Sequence, residues 1–482
     1  MAKAARFLRQ QPARALGVSL LILIPSFWQR HVAFGDFPSH LYNAWLYPKV
    51  AAGELQGLTV SGQHTNILSD VVLTWLLQHA SVQTAERIVL ASAVLLMFWG
   101  MFAVVAAASG RIGWWLAPFL AMLTYGWAFQ LGFLNSYLAT AFCFLIFALL
   151  WSRPTTIDFL FAAPLLLLAA SAHPAGLAWL AGTLAFGWMV RATSPPTRWL
   201  WLAAAIILLV AMNRFAVFKL SGNWYPIPWL NVVGTDQFYI FRVRFYWLAV
   251  VVAVFWLFLL VRSGKQAGWK EFLSSPAVLI YLLNCAAVFL SPISLVPPGG
   301  HAQRFGFLAD RLSLMAAVLA CTCIATIQPR RWIRTVTWIL ALAFFWFLFT
   351  DTRQMNRVEA RVDELLRSIP PGQRVAALIY YPRARGSYQH HMIDRECIGR
   401  CWSYSDYEPS SGHFRIIPTG ASPFVLTVPR DVDDVLHGRY LAKKEDLPLY
   451  QIYPCGPRET DLCIRTLQEG ERNGAIDLLR HW

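Results

Sequence analysis

The chain has 482 residues, of which 57% are hydrophobic, and it carries a formal net charge of +15. This hydrophobicity excludes a protein that is soluble throughout, and the length allows two domains. The charge does not indicate a nucleic-acid partner, because residues 1–350 hold 23 Lys and Arg against 8 Asp and Glu, whereas residues 351–482 hold 18 of each. The positive excess belongs to the apolar part of the chain, where basic cytoplasmic loops and contact with anionic membrane lipids account for it.

Long apolar segments dominate the first 350 residues. A helix needs about 20 predominantly apolar residues to cross a bilayer core. Eleven segments meet or approach this length: 15–32, 88–108, 113–129, 133–151, 158–173, 175–190, 199–218, 243–261, 274–292, 307–327 and 333–350. Only an HPAG turn separates 158–173 from 175–190, and a kinked single helix there would leave ten spans. The charge of the loops favours eleven spans, because the loops rich in Arg and Lys then all face the cytoplasm.

The sequence therefore predicts a polytopic α-helical protein of a bacterial inner membrane. Its N-terminus is expected in the cytoplasm, and all eleven histidines are expected on the external face. Residues 1–350 form the predicted transmembrane domain, with a long first external loop at 31–87. Within this loop, HLYNAWLYPKVAAGEL and TNILSDVVLTWLLQHA have the spacing of amphipathic helices at the membrane interface. With the external loops 219–244 and 291–311, the first loop is where we expect substrate recognition.

After residue 350 the apolar runs stop, and residues 351–482 are predicted to form a small extracytoplasmic α/β domain. VEARVDELLRSI and ETDLCIRTLQEG indicate helices, whereas RVAALIYY, FRIIP, PFVLTVP and PLYQIYP indicate strands. Four cysteines lie in this domain, and an oxidising compartment favours two disulfides over a zinc site. They are Cys397, Cys401, Cys455 and Cys463.

A second polar group of the C-terminal domain surrounds the first two of these cysteines. It comprises His390, His391, Asp394 and Glu396, followed by YSDYEPSSGHF. Acids and histidines at this density could bind a metal ion. A solvated loop near a disulfide is the favoured interpretation, and the domain is expected to cover the membrane region or bind a partner.

The segment GDFPSHLYNAW follows the first span and contains the strongest candidates for chemistry, Asp36, His40 and Asn43. On a helix that begins near Pro38, His40 and Asn43 are three residues apart and share a face. Asp36 stands just before that helix. It could act in an active site, or it could cap the helix, since an acid before a proline suits that position.

This arrangement resembles the GT-C superfamily of membrane glycosyltransferases, which transfer a sugar from a polyprenyl-phosphate carrier to an external acceptor. The resemblance lies in the many spans, the long first external loop with an acid just after the first span, and the external C-terminal domain. It implies that Asp36 is the catalytic base or holds a divalent metal ion. Many members place two acids together in that loop, whereas the nearest polar neighbour of Asp36 in this sequence is His40. Metal dependence therefore stays open, and Asp36 acting as a base assisted by His40 is chemically sufficient.

Further polar residues could complete such a site. Three of them stand at the start of the second helix of the first loop: His64, Asn66 and Asp70. The alternative for these three is that they only form a solvated helix face. Four arginines near the external ends of the eighth and tenth spans could bind the donor phosphate: Arg242, Arg244, Arg304 and Arg311. The alternatives are an ion pair between Arg311 and neighbouring Asp310, and arginines that snorkel to the interface.

Two other functional classes remain beside the glycosyltransferase. The first is a non-catalytic membrane scaffold that binds envelope components, in which the external polar residues only fold loops. The second is a transporter, which the near absence of charge inside the spans disfavours. The sequence does not define the sugar, the acceptor or the oligomeric state.

Overall fold

The computed structural model describes residues 11–111, 113–219, 221–223, 226–292, 294–296, 305–379, 384–386 and 388–474. The chain is mostly helical, with a small sheet region. It forms two compact units. Unit 1 comprises Met1–Ile24, Ala91–Phe129 and Leu134–Leu348, and unit 2 comprises Pro25–Leu90, Gln130–Phe133 and Phe349–Trp482. Most of the predicted first external loop thus belongs to the same unit as the C-terminal region.

The helices, in chain order, are α1 Pro12–Phe27, α2 Phe37–Ala51, α3 Leu68–His79, α4 Val82–Ser109, α5 Ala117–Thr124, α6 Trp127–Gln130, α7 Leu134–Leu150, α8 Thr156–Ala172, α9 Pro174–Ala192, α10 Pro195–Lys219, α11 Trp229–Val233, α12 Val243–Ala267, α13 Trp269–Leu273, α14 Pro276–Leu290, α15 Leu308–Ile324, α16 Arg331–Arg367, α17 Met392–Cys397, α18 Tyr407–Ser411 and α19 Pro429–Leu436. The strands are β1 Leu58–Val60, β2 Ser221–Asn223, β3 Ser294–Val296, β4 Phe305–Gly306, β5 Arg374–Ala377, β6 Trp402–Ser403, β7 Ile416–Pro418, β8 Leu449–Pro454 and β9 Leu462–Leu467.

Several helices are suited to a membrane. A helix lies in each of the eleven apolar segments, and among the described residues α4, α10, α12 and α16 are long and apolar enough to cross a bilayer. Only 6% of the apolar window of α10 is buried inside the protein, so side chains such as Leu208 and Phe215 are exposed. An apolar surface of this extent is unfavourable in water and favourable in lipid. The fold is therefore consistent with a membrane protein.

Two helical segments of unit 1 differ from a simple span. Segment 113–129 is broken into a short 3₁₀ turn, α5 and α6, with a turn at Gly126 between the two α-helices. A β-carbon at Gly126 would lie 2.6 Å from the backbone oxygen of Gln237, so glycine permits this close approach. Between α8 and α9, His173 is extended (φ −167°) and Pro174 opens the next helix. The HPAG turn thus separates two helices.

Unit 2 contains two sheets. In the four-stranded sheet the order is β6-β5-β8-β9, where β5 runs parallel to β6 and β8, and β9 runs antiparallel to β8. A buried apolar cluster that includes Ala376, Tyr404, Val435, Leu449 and Leu467 stabilises this region. A two-stranded antiparallel sheet pairs β1 of the first loop with β7 of the C-terminal region. The C-terminal region thus has the mixed α/β character expected from its sequence.

Two predictions for the C-terminal region were wrong in detail. ETDLCIRTLQEG contains the strand β9 and not a helix, because it pairs along its length with β8 and the disulfide Cys455–Cys463 joins the two strands. PFVLTVP forms no strand and leads into α19. The predicted helix VEARVDELLRSI is confirmed as far as Arg367, where it forms the C-terminal part of the 37-residue helix α16. The other two C-terminal cysteines, Cys397 and Cys401, also form a disulfide.

Candidate functional site

Asp36 stands at the entrance of α2, where tight backbone contacts fix its position. Gly35 has a φ of +57°, which favours glycine, and a β-carbon there would collide with the backbone of Leu131. The Asp36 amide donates to the Leu131 carbonyl oxygen at 3.1 Å. Asp36 occupies the N-cap position, but its side chain makes no capping hydrogen bond. The carboxylate, 25% exposed, is therefore directed to other partners.

The partners of the Asp36 carboxylate come from the C-terminal region of unit 2. The Tyr407 hydroxyl donates to Asp36 Oδ2 at 2.8 Å, and His391 Nε2 lies 3.9 Å from Asp36 Oδ1. The other ring nitrogen of His391 lies 2.9 Å from Asp394 Oδ2, and Asp394 Oδ1 accepts a hydrogen bond from the Ser403 hydroxyl. A continuous polar chain thus runs from Asp36 through His391 to Asp394 and Ser403.

The electrostatics of this chain favour a charged histidine. Burial lowers the pKa of His391, but the hydrogen bond and the charge of Asp394 outweigh burial, and Asp36 and Asp406 add to them. The net effect raises the pKa of His391 to about 9. An imidazolium therefore stands beside Asp36 at neutral pH, where it attracts the ionised carboxylate.

His40 lies in the same unit but faces a different acid. Its Nδ1 is 2.6 Å from Glu408 Oε1, and both side chains are buried. Burial lowers the pKa of His40, but Glu408, with smaller contributions from Asp70 and Asp36, raises it to about 9. The sequence suggested that His40 is the nearest polar partner of Asp36. The structure instead gives His40 to Glu408 and brings His391 to Asp36.

Asn43 joins a buried hydrogen-bond group on the next turn of α2. Its side-chain amide donates to Asp406 Oδ2 at 2.8 Å, and the Ser39 hydroxyl donates to Asp406 Oδ1 at 2.7 Å. Asp406 is fully buried, and this burial, with Asp394 and Glu408 nearby, raises its pKa well above the usual range. Asn43 therefore orders the wall of the site and does not face Asp36.

The supporting residues of the first loop divide into two kinds. His64 is exposed, whereas Asn66 and Asp70 are buried, which excludes a solvated helix face for these two. Asn66 precedes α3 in a left-handed conformation (φ +58°), so it is not part of the helix on which it was expected. Asp70 lies in the first turn of α3 and adds negative charge near His40 and Glu408.

Three of the four arginines proposed for the donor phosphate lie in unit 1. The fourth, Arg304, lies outside the described residues. In α15, Arg311 Nη1 is 2.9 Å from His173 Nε2, while the neighbouring Asp310 accepts from the Trp127 indole at 2.8 Å. Two further arginines lie at the start of α12: Arg242 at its N-cap, and Arg244 4.9 Å from the Phe347 ring. Phosphate binding by these arginines stays a prediction.

The sequence did not reveal a buried ion-pair cluster around Arg395. The guanidinium donates to both oxygens of Glu359 at 2.7 and 2.8 Å, to Glu86 Oε1 at 2.9 Å and to the Ala33 carbonyl at 3.2 Å. His31 Nδ1 lies 2.9 Å from the second oxygen of Glu86. In the sequence, the signals for this cluster were His31 and Glu86, which stand at the two ends of the first loop. Glu359 and Arg395 lie about 300 residues later, so no local pattern connects them.

The sequence also did not predict which C-terminal residues contact Asp36 and His40, although their segments stood out for their acids and histidines. His391, Tyr407 and Glu408 were expected in solvated loops, whereas the structure buries His391 and Glu408 and half-buries Tyr407 in unit 2. The segment around His391 is therefore not a solvated loop. In this segment His391, Asp394 and Arg395 are buried together with charged or hydrogen-bonding partners.

The described residues show no cluster of metal ligands that includes Asp36. Among the residues that the structure describes, the ligand atoms of three His, Cys, Asp or Glu residues converge within 4.8 Å at His31, Glu359 and Glu396. The four C-terminal cysteines are occupied in disulfides. Metal binding by Asp36 stays a prediction.

Comparison with known proteins gives no relative. No family model, no curated protein and no solved structure matches the chain. The fold defines a helical protein with several helices suited to a membrane.

Proposed function

We propose that the chain is an integral membrane glycosyltransferase similar to the GT-C superfamily. It transfers a sugar from a polyprenyl-phosphate donor to a hydroxyl group of a lipid, glycan or protein acceptor at the external face of a bacterial inner membrane. The observation that carries the proposal is the Asp36 carboxylate, which is partly exposed, oriented by the Tyr407 hydroxyl and placed beside a charged His391. A helical chain with membrane-suited helices is the setting that such a donor requires.

The proposed chemistry assigns one role to each group. The acceptor hydroxyl attacks the anomeric carbon of the sugar, and Asp36 takes the hydroxyl proton. The new carbon–oxygen bond forms as the bond to the donor phosphate breaks, and the polyprenyl phosphate leaves with its electron pair. Tyr407 holds the carboxylate in one rotamer, and His391 supplies the positive charge beside it. General base catalysis of this kind contributes about 10²–10⁴-fold to the rate.

The same proposal includes the topology of the chain. Eleven spans would place the N-terminus in the cytoplasm and the C-terminal α/β region outside, where its two disulfides are stable. Helix α16, with 37 residues, is about 55 Å long, whereas a bilayer core is about 30 Å thick. A reporter active only outside the cytoplasm should be active when fused after Trp482 and inactive after Arg334. Inactivity after Trp482 would contradict the eleven-span topology.

A non-catalytic scaffold for envelope components is the second candidate. The observation that favours it is the degree of internal pairing, since Ser39 and Asn43 both donate to Asp406 and His40 pairs with Glu408. In that case Asp36 would only tie the first loop to Tyr407. A transporter is the third candidate, and the sparse charge within the apolar helices favours it least.

The test uses the full chain purified into lipid nanodiscs and incubated with radiolabelled polyprenyl-phosphate sugars and mixed acceptors. Asp36→Asn keeps the shape of the side chain but removes the proton acceptor, so transfer should fall by about 10²–10⁴-fold. Asp433→Asn is the matched control, because Asp433 is 57% exposed in α19, and it should retain full transfer.

The possible outcomes separate the candidates. Full transfer by Asp36→Asn would contradict the role of Asp36 as the base. Binding of lipid-linked sugars without any transfer by the wild type would favour the scaffold. Thermal unfolding of each variant shows whether a loss of transfer reflects chemistry or a loss of folded protein.

A further inference from the structure

The buried imidazole of His31 has an unusual environment. The side chain is 5% exposed, and its Nδ1 lies 2.9 Å from Glu86 Oε2. Its Nε2 is buried without a hydrogen-bond partner and lies 3.7 Å from Glu396 Oε1. When a neutral imidazole donates from Nδ1, its Nε2 carries a lone pair. That lone pair faces a carboxylate oxygen, which is unfavourable unless a positive species lies between them.

A third ligand atom converges on the same point. One oxygen of Glu359 lies within 4.8 Å of the ligand atoms of His31 and Glu396, and all three side chains are buried. Both Glu359 oxygens accept hydrogen bonds from Arg395, which fixes the orientation of this carboxylate. A carboxylate oxygen has two lone pairs, so each can accept a hydrogen bond and still bind a cation.

The local charge also favours a cation. In the described part of this cluster, three buried carboxylates, Glu86, Glu359 and Glu396, face one buried guanidinium, that of Arg395. Arg30, which is half exposed, lies 3.9 Å from Glu396. Buried carboxylates without enough positive charge nearby are strongly unfavourable. A divalent ion would balance the excess.

We propose that His31, Glu359 and Glu396 bind a divalent ion of the zinc type. One imidazole nitrogen and two carboxylate oxygens with an open fourth position match the donors and number of ligands in three-residue zinc sites. Glu86 acts as the outer carboxylate that accepts the other ring N–H of the histidine, an arrangement that metal-binding histidines commonly have. The ion joins the segment before α2 to α16 and α17, so it stabilises unit 2. This proposal is independent of the proposed transferase activity.

The test measures metal in the full-length chain, purified in detergent without chelators and with an affinity tag that contains no histidine. Elemental analysis should find about one zinc ion per chain. After removal of the metal, titration with Co²⁺ should give the visible absorption of a tetrahedral site, and added Zn²⁺ should raise the melting temperature by several degrees. X-ray absorption of the zinc-loaded wild type should show nitrogen and oxygen neighbours and no sulfur.

Glu396→Gln keeps the side-chain volume but removes the negative ligand, and it should weaken Co²⁺ binding at least tenfold. His79→Ala is the matched control, because His79 is an exposed histidine of unit 2 at the end of α3, and it should bind Co²⁺ as the wild type does. Wild-type protein that retains no metal, gives no Co²⁺ spectrum and shows no thermal shift would overturn the proposal and indicate a proton between His31 and Glu396. Unchanged binding by Glu396→Gln, or sulfur neighbours in the wild type, would place the metal elsewhere and equally overturn it.

Discussion

Replacing Arg395 with methionine would remove the buried cation that unit 2 uses to neutralise two carboxylates. Arg395 is 3% exposed, and Glu86 and Glu359 are each 1% exposed. The guanidinium makes three hydrogen bonds to these two acids and one to the Ala33 carbonyl. Methionine fills a similar volume but leaves both carboxylates buried without their cation.

The expected loss of stability follows from this geometry. Removing one partner of a buried ion pair costs about 3–5 kcal/mol, because the other charge stays buried without compensation. In a unit of roughly 200 residues, each kcal/mol lowers the melting temperature by about 2–4 °C. Arg395→Met should therefore melt about 6–20 °C below the wild type, as measured by differential scanning fluorimetry in detergent.

The matched control is Arg439→Met, since Arg439 also contacts two carboxylates, those of Asp433 and Asp434, but is 52% exposed. Exposed pairs contribute about 0–1 kcal/mol, so this variant should melt within about 4 °C of the wild type. Equal melting temperatures for the two variants would refute the argument from burial. In metal-free protein, the triple variant that adds Glu86→Gln and Glu359→Gln should recover part of the lost stability, because the uncompensated charges are gone.

Three further predictions concern charge, the proposed site and the cysteines. The pKa values of His40 and His391 are raised from 6.5 to about 9, so the folded protein holds these two protons more tightly than the unfolded chain does. The stability that they contribute is fully present below pH 6.5 and is lost as the pH rises through about 9. A melting temperature that stays constant from pH 6.5 to 9.5 would contradict this prediction. Tyr407→Phe removes the hydrogen bond that orients Asp36, so kcat for transfer should fall by up to about 10²-fold with KM little changed, because a misplaced base costs that order. Tyr440→Phe, which removes a similar bond to another carboxylate, should leave kcat unchanged. Alkylation of the unfolded protein should label four cysteines without reductant and all eight with it, and eight labels without reductant would argue against the disulfides.

Apolar patterning predicted the helices because burial in lipid or in the core depends on composition over many residues. A helix occupies every apolar segment that the sequence indicates, and the helices of the first loop lie where expected at α2 and α3. Local patterning was less informative after residue 350. ETDLCIRTLQEG has the composition of a helix, yet it forms β9 because pairing with β8 overrides helix propensity.

The candidate site could be predicted only in part. Asp36 stood out because it is an acid just after an apolar segment, and the structure gives its carboxylate contacts other than a helix cap. His391, Tyr407 and Glu408 could not be assigned to it, because they lie more than 350 residues later and no local pattern encodes that proximity. Without the structure, an acid such as Glu408 is expected on the surface, and only its contact with His40 explains its burial.

Unit 2 is built from segments that lie far apart in sequence, and this has a consequence for its synthesis in the cell. Residues up to Leu90 meet residues after Phe349, and more than 250 residues are made between them. At about 5–20 residues per second, the first loop waits roughly 15–60 s before the ribosome completes Arg395, the partner of Glu86. During that time Glu86 and His40 lack Arg395 and Glu408, the partners that allow their burial, so the loop is exposed to chaperones and proteases. A nascent chain that stops before residue 395 would carry acids without compensating charge, and quality control could recognise it by this defect.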